Sequence, residues 1–215
     1  MRRMLIWSGV ALVLIVASWG IVRLAGKPQT AGTGRTPDPI VESDWKKGNP
    51  DSKITLIEYA DFQCPACAQY YPILNQLFAE YGDRILFVYR HFPLIKIHAN
   101  AVIAAQAADA AGAQGKFWEM HNLIYENQSV WANLSNSQAA DVYSGYASEL
   151  GLNMEKFNSE MKSSESRERN LKAYNRAIEI GLSATPTFFL NGKFMQPRSY
   201  DEFKQLIEDA IKSSV

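Results

Sequence analysis

This chain of 215 residues has only two cysteines, and they lie three positions apart. Cys64 and Cys67 cannot supply a framework of several disulfides. A disulfide across so short a loop would remove little chain entropy, so it would contribute little as a structural cross-link. The pair is therefore interpreted as either a reactive dithiol or half of a metal site.

The residues around the cysteines favour the reactive dithiol. Residues 54–59 are β-rich and predict a buried strand, and Pro65 opens a helical pattern that continues to Tyr81. Cys64 is therefore expected at a helix N-terminus, where free backbone N–H groups and the helix dipole stabilise a thiolate. A low thiol pKa makes a sulfur a good leaving group, and Cys67, about one turn later on the same face, is the expected resolving thiol.

A zinc site is the alternative for the cysteine pair. It would need two further ligands, and the sequence offers three histidines and no second C-x-x-C motif. Neither a metal nor a bound cofactor is predicted. His91 and His98, which follow the second predicted strand, are interpreted as scaffold residues that form hydrogen bonds, with a role in proton transfer as the other possibility.

The rest of the folded region alternates between strand and helix patterns. Residues 85–89 predict a second strand, parallel to the first through a right-handed crossover. Residues 99–181 are helical in pattern, and Asn191-Gly192 between two β-like runs predicts a hairpin. An amphipathic helix over residues 200–211 closes the chain. The predicted fold class is α/β.

The N-terminal region predicts export of the folded part. The stretch from Met4 to Val22 carries no charge and, as a helix, would span roughly 28 Å, close to the thickness of the hydrocarbon core. The basic residues Arg2 and Arg3 precede it, which favours a cytoplasmic N-terminus. Residues 1–25 are therefore predicted to be a single-pass anchor in the cell membrane, with a cleaved signal peptide as the alternative. Residues 26–50 are predicted to be a linker.

Charge excludes one class of partner. The chain has 22 basic and 22 acidic residues, whereas a protein that binds phosphate backbones needs a basic face, so no nucleic-acid partner is predicted.

Three blocks of sequence resemble the DsbA-like thioredoxin-fold thiol–disulfide oxidoreductases of the membrane-anchored BdbD/DsbA type, in that family's order and spacing. They are EYADFQCPAC over residues 58–67, YRHFPLIKIHANA over residues 89–101 and ATPTFFLNGK over residues 184–193. The resemblance implies a thioredoxin fold with a helical insertion over residues 51–215, preceded by one N-terminal transmembrane helix.

The resemblance also implies roles for individual residues. Pro186 would be a cis-proline whose loop lies against Cys64, and the backbone of Thr185 would pair with an extended substrate. Glu58 would be a buried acid beneath the cysteines that takes the proton of Cys67, an ordinary solvent-facing strand residue being the alternative. Pro65 and Ala66 form the dipeptide within the motif. Strongly oxidising relatives often carry histidine at the second of these positions, so Ala66 argues against extreme oxidising strength.

The function implied is an extracytoplasmic thiol–disulfide oxidoreductase that introduces disulfides into unfolded or reduced exported proteins through Cys64 and Cys67. It would act as a monomer and be reoxidised by a quinone-linked membrane partner of the DsbB or VKOR-like kind. A reductase or isomerase using the same motif is one alternative. A peptide-binding holdase whose cysteines are incidental is another, of a different class.

Overall fold

A five-stranded mixed sheet organises the described part of the chain, residues 35–214 of a computed structural model. The spatial strand order is β1-β3-β2-β4-β5. The strands are β1 (Trp45–Gly48), β2 (Thr55–Ala60), β3 (Leu86–His91), β4 (Thr187–Leu190) and β5 (Lys193–Met195). The helices are α1 (Pro65–Tyr81), α2 (Ala101–Gly112), α3 (Phe117–Glu126), α4 (Gln128–Trp131), α5 (Asn136–Glu149), α6 (Met154–Met161), α7 (Ser164–Glu179) and α8 (Tyr200–Ser213).

The central strand pairs bring distant parts of the sequence to one edge of the sheet. β2 runs parallel to β3, with α1 as the predicted crossover between them. β4 runs antiparallel to β2, and Tyr59 lies opposite Thr187. The carboxyl end of β2, from which the chain continues to Cys64, therefore lies beside the beginning of β4, which follows Pro186.

The predicted hairpin joins β4 to β5. Asn191 and Gly192 both adopt positive φ, at 50° and 76°, as a type I′ turn requires of its two central residues. The Asn191 side chain accepts a hydrogen bond from the N–H of Thr55 at 2.8 Å, and its own N–H donates to the Thr55 carbonyl at 2.8 Å. These two bonds fix the hairpin against the first residue of β2.

Side chains of the central strands alternate between two apolar clusters on opposite faces of the sheet, as the period of a strand requires. Leu56, Phe87 and Tyr89 face the larger cluster, which includes residues of α1, α8 and most of the helical insertion. Ile57 and Val88 face a smaller cluster to which α7 contributes. By the same alternation Glu58 belongs to the face of the larger cluster.

The helical insertion between β3 and β4 comprises six helices, α2 to α7. Its centre is α2, an alanine-rich helix in which ten of twelve residues are buried. Small side chains allow neighbouring helices to approach closely, and α2 packs against α3, α5, α6 and α7. The predicted helical block is therefore one packed unit.

The predicted linker over residues 26–50 extends too far, because Trp45–Gly48 form the edge strand β1, antiparallel to β3. The Trp45 ring stacks on Phe117 with centroids 4.1 Å apart, and its Nε1–H donates to Asp109 at 2.9 Å. A four-residue strand with one large apolar residue has no period that sequence analysis could detect. The folded unit therefore begins before residue 51.

The predicted anchor, residues 1–25, lies outside the described residues. Within residues 35–214, none of the helices has the length and apolar character needed to cross a membrane.

The contact between β1 and α2 leads to a test of packing. A Cβ added at Gly112 would lie 2.2 Å from the Trp45 ring, so we expect Gly112→Ala to lower the free energy of unfolding by about 1–3 kcal/mol. Gly145 in α5 has open space around it, and Gly145→Ala is expected to raise the free energy by about 0.5–1 kcal/mol through helix propensity. Urea unfolding of both variants measures the difference. Equal stability of the two would contradict this account of β1.

Candidate active site

Cys64 is the N-cap residue of α1, as predicted. Its backbone is extended, with φ −70° and ψ 122°, and Pro65 occupies the first turn. The Cys64 N–H donates to the Asp61 carbonyl at 3.1 Å, and its carbonyl accepts from the Ala68 N–H at 3.2 Å. Both cysteines are free thiols, with 7% of the Cys64 surface and 1% of the Cys67 surface exposed. Cys64 is thus the sulfur on the solvent side of the pair.

The two thiols have opposite pKa shifts. Hydrogen bonding from the Cys67 thiol, with further bonds from Thr185 and from the backbone N–H groups of Cys67 and Ala66, outweighs burial and lowers the pKa of Cys64 to about 6. Burial, together with the same thiol–thiol bond, raises the pKa of Cys67 well above its ordinary value. At neutral pH the reduced pair therefore holds a thiolate at Cys64 and a proton at Cys67.

The loop before β4 lies against the reactive sulfur. The Thr185–Pro186 peptide bond is cis, as the family resemblance implies, and Cys64 Sγ lies 3.4 Å from the Thr185 carbonyl oxygen. Thr185 is 7% exposed, and its hydroxyl has no hydrogen-bond partner within residues 35–214 while Cys64 is a thiol. That hydroxyl contributes to the low pKa of Cys64, because it can donate to the thiolate.

Glu58 is buried, with 2% of its surface exposed, so the solvent-facing alternative is wrong. Burial raises the pKa of its carboxyl to about 8, against the opposing attraction of Lys47 and with a further increase from Cys64. Glu58 and Cys67 border the same small cavity of about 10 Å³, roughly the space of one water molecule. A carboxyl that titrates near neutrality at this place has the properties of a proton acceptor for Cys67, and that role stays a prediction.

Lys47 is a site residue that sequence analysis did not identify, because it falls in the predicted linker. It lies on β1 and borders the cavity shared by Glu58 and Cys67. Its Nζ lies 4.5 Å from the ring centroid of Phe78 and 4.6 Å from that of Trp118, so cation–π contacts hold the ammonium. Burial lowers the pKa of Lys47 to about 8, although Glu58 opposes the shift. A lone lysine in a short edge strand carries no sequence signal for such a role.

Hydrogen bonds tie His91 to the half-buried Asp109 and His98 to the buried Asp61, which agrees with the scaffold interpretation. His91 Nε2 lies 3.0 Å from Asp109 Oδ1, and His98 Nδ1 lies 2.7 Å from Asp61 Oδ2. The third histidine, His121, is buried, and burial lowers its pKa to about 3. Among residues 35–214, no three His, Cys, Asp or Glu side chains come close enough together to hold a metal ion.

A family model described as thioredoxin matches residues 41–209 of the chain. Curated relatives include the Na(+)/H(+) antiporter NhaA 1 of Mycolicibacterium gilvum, 35% identical over 85% of this chain and 29% of that protein. The antiporter NhaA of Herminiimonas arsenicoxydans is 33% identical over 90% of this chain and 31% of its own length. The chain thus spans less than a third of the length of these relatives.

Solved structures share the fold. The α-DsbA1 protein of Wolbachia pipientis superimposes with a TM-score of 0.66 at 20% identity, covering 79% of this chain and 92% of that one. Oxidised BdbD of Bacillus subtilis gives a TM-score of 0.69 at 21% identity, with 82% and 97% coverage. These matches confirm the predicted resemblance and the thioredoxin fold with a helical insertion.

The unequal thiol pKa values predict selective alkylation. At pH 7 the reduced protein should react rapidly with one equivalent of iodoacetamide, at Cys64, and the rate should fall as the pH drops through about 6. Cys64→Ser should remove the fast reaction. Cys67→Ala should raise the midpoint by about one pH unit because the donor to Cys64 is lost. Cys67→Ser keeps a donor hydroxyl and should shift the midpoint less; an equal shift in both variants would contradict this assignment.

The buried Glu58 predicts a pH dependence of stability. Between its ordinary pKa of 4.5 and its folded value of about 8, the folded chain keeps a proton that the unfolded chain has lost, so the free energy of unfolding should fall as pH rises through this window. Glu58→Gln removes that dependence. From pH 5 to pH 8 its free energy of unfolding, relative to that of the parent, should rise by about 3 kcal/mol. Urea unfolding in a Cys64→Ser background removes the thiolate's own contribution. Glu149→Gln, at an exposed carboxylate, is the control.

Should the difference between Glu58→Gln and its parent stay constant from pH 5 to pH 8, Glu58 would not hold a proton in the folded state. A difference no larger than that for Glu149→Gln would lead to the same conclusion.

Proposed function

Because the chain belongs to the thioredoxin family, we propose that it is a thiol–disulfide oxidoreductase that introduces disulfides into exported proteins outside the cytoplasm. The observation that carries the proposal is the asymmetry of the cysteine pair: Cys64 has a pKa of about 6, whereas the pKa of Cys67 is raised. Thioredoxin and DsbA, with nucleophile pKa values of about 7 and about 3.5, bracket this value. A stabilised thiolate favours the reduced pair and so makes the oxidised pair a better oxidant.

The proposed reaction starts from a Cys64–Cys67 disulfide. A substrate thiolate attacks Cys64 Sγ, the disulfide breaks, and its electron pair goes to the Cys67 sulfur, which takes up a proton from Glu58. A second substrate thiolate then attacks the substrate sulfur of the mixed disulfide, and Cys64 leaves as a thiolate. The substrate gains a disulfide, and the cysteine pair gains two electrons and holds a proton at Cys67.

Exposed apolar side chains on two segments that hydrogen-bond to the loop and helix start around Cys64 support unfolded chains as substrates. Gln128 of α4 donates from Nε2 to the Cys64 carbonyl at 3.0 Å, so α4 adjoins the reactive cysteine, and Val130 of the same helix is 55% exposed. The loop after β3 carries Ile95 and Ile97, which are 38% and 71% exposed. Apolar side chains of this kind suit apolar segments that a folded substrate would hide. The Thr185 backbone would pair with such an extended segment.

Reoxidation requires an electron acceptor, which we propose to be a quinone-linked membrane protein of the DsbB or VKOR-like kind. The charge-free stretch from Met4 to Val22 supports a position at the membrane. Antiport is not proposed for this chain, since the match covers less than a third of the antiporters.

Trapping of the mixed disulfide tests the proposal. The full-length Cys67→Ala variant, oxidised to a mixed disulfide with a small aromatic thiol, should form a covalent complex with an unfolded ribonuclease A variant that keeps a single cysteine, because neither Cys67 nor a second substrate thiol is then present to release it. Cys64→Ala should form none. Non-reducing electrophoresis measures the complex. A holdase with incidental cysteines would instead bind unfolded ribonuclease equally well in the Cys64→Ser, Cys67→Ser variant, and such retention without any covalent complex would overturn the proposal.

The direction of exchange is tested by the potential of the Cys64–Cys67 pair, equilibrated with glutathione. We expect a value between the about −270 mV of thioredoxin and the about −120 mV of DsbA. A value at or below that of thioredoxin would favour the reductase.

A further inference from the structure

A buried carboxylate and a histidine lie beside the loop that carries Cys64. Asp61, which is 1% exposed, lies in the loop between β2 and α1. Its carboxylate accepts hydrogen bonds from the N–H of Gln63 at 2.7 Å, from the N–H of Leu94 at 2.8 Å and from His98 Nδ1 at 2.7 Å. These bonds join the loop after β3 to the loop that carries the reactive cysteine, and they fix the imidazole ring.

The backbone of Asp61 contacts both cysteines. Its carbonyl accepts the Cys64 N–H at 3.1 Å, and its own N–H forms a hydrogen bond that favours the Cys67 thiolate. His98 is thus attached to a residue whose backbone interacts with both cysteines. The His98 pKa is raised, first by its hydrogen bond to Asp61 and further by the charge of the Cys64 thiolate. Because such an interaction is reciprocal, a protonated His98 stabilises that thiolate.

The other groups around Cys64 supply no positive charge to its thiolate among the described contacts, so the charge of His98 matters for its stability. Pro65 and Ala66, between the cysteines, carry no charge, and the bonds that lower the pKa of Cys64 come from neutral donors. Glu58, when ionised, repels the thiolate. If His98 lost its proton, no positive charge would compensate the Asp61 carboxylate. The loop that carries Cys64 would then hold that negative charge in addition to the thiolate.

Two phenols and one lysine lie on the described elements around the Asp61–His98 pair. Tyr89 of β3 and Tyr143 of α5 are influenced by the Asp61 carboxylate, and both phenols have pKa values raised by burial, so they stay neutral. Lys96 lies on the same loop as His98 but is exposed to solvent, where its charge is screened.

We propose that His98, held by Asp61, is a positioning residue whose imidazolium stabilises the Cys64 thiolate, so that the oxidising strength of the cysteine pair declines when His98 loses its proton. Nδ1 keeps its proton toward Asp61, and the proton that is lost comes from Nε2. Since the pKa of His98 is raised, the effect is complete below its ordinary value and disappears as the pH rises through the raised one. The inference rests on the proposed exchange at Cys64 and names the residue that regulates it.

His98→Asn provides a test, because the asparagine amide can replace Nδ1 as the donor to Asp61 while carrying no titratable group. In the full-length chain, thiolate absorbance at 240 nm should show the pKa of Cys64 raised by about 0.5–1 unit. The equilibrium constant for oxidising glutathione at pH 7 should fall by about two- to fivefold. Lys96→Gln, which removes an exposed cation from the same loop, should change neither quantity. Equal values for His98→Asn, Lys96→Gln and the parent would overturn the proposal.

A second measurement needs no substitution at His98. The ring of His98 can be titrated by NMR in the reduced parent and in Cys64→Ser, and its pKa should be lower in the variant, which lacks the thiolate. An unchanged pKa would overturn the proposal even if His98→Asn failed to fold. Neither titration requires action on a protein substrate. Failure of mixed-disulfide trapping would therefore count against the proposed function, and failure of these titrations against His98 alone.

Discussion

The antiparallel pairing of β2 with β4 is the constraint on which the site depends. It joins residues more than a hundred positions apart, so that the loop leaving β2 and the loop entering β4 meet at one edge of the sheet. Cys64 Sγ and the Thr185 carbonyl then lie within 3.4 Å of each other. The helix start supplies backbone donors to the sulfur, and the opposite loop supplies a hydroxyl. Neither element alone would produce both the thiolate and a strand-like backbone beside it.

Two ionisable side chains lie beneath the cysteine pair, at positions where apolar residues would normally stabilise the fold. Glu58 is buried and Lys47 is half-buried near Cys67, and loss of hydration shifts each pKa towards about 8, from opposite sides. A buried pair of this kind seldom stabilises a protein relative to apolar residues of the same volume. Groups that titrate near neutrality are instead what proton transfer at Cys67 requires. The arrangement is thus more readily explained by chemistry than by folding.

Local patterns predicted most of the fold and the place of Cys64 at a helix start. The run before Cys64, the proline after it and the Asn191-Gly192 turn each express a backbone preference within a few residues, and the structure agrees with all three. The placement of Thr185–Pro186 came from resemblance, because no local rule relates a loop to a helix 121 residues away. Lys47 escaped prediction, and so did Asp61 as the partner of His98. Their roles arise from burial and from long-range contacts, which a single sequence does not display.

The short outer strands of the sheet bear on the resistance of the protein to coaggregation. β1 has four residues and β5 has three, so both free borders of the sheet offer few unpaired backbone groups. Lysines stand on each of them, Lys46 and Lys47 on β1 and Lys193 on β5. Short, charged borders resist the addition of a foreign strand, which is the first step of coaggregation. Under the proposed function, the domain could therefore bind unfolded chains at the cysteine loop without being extended by them into a shared sheet.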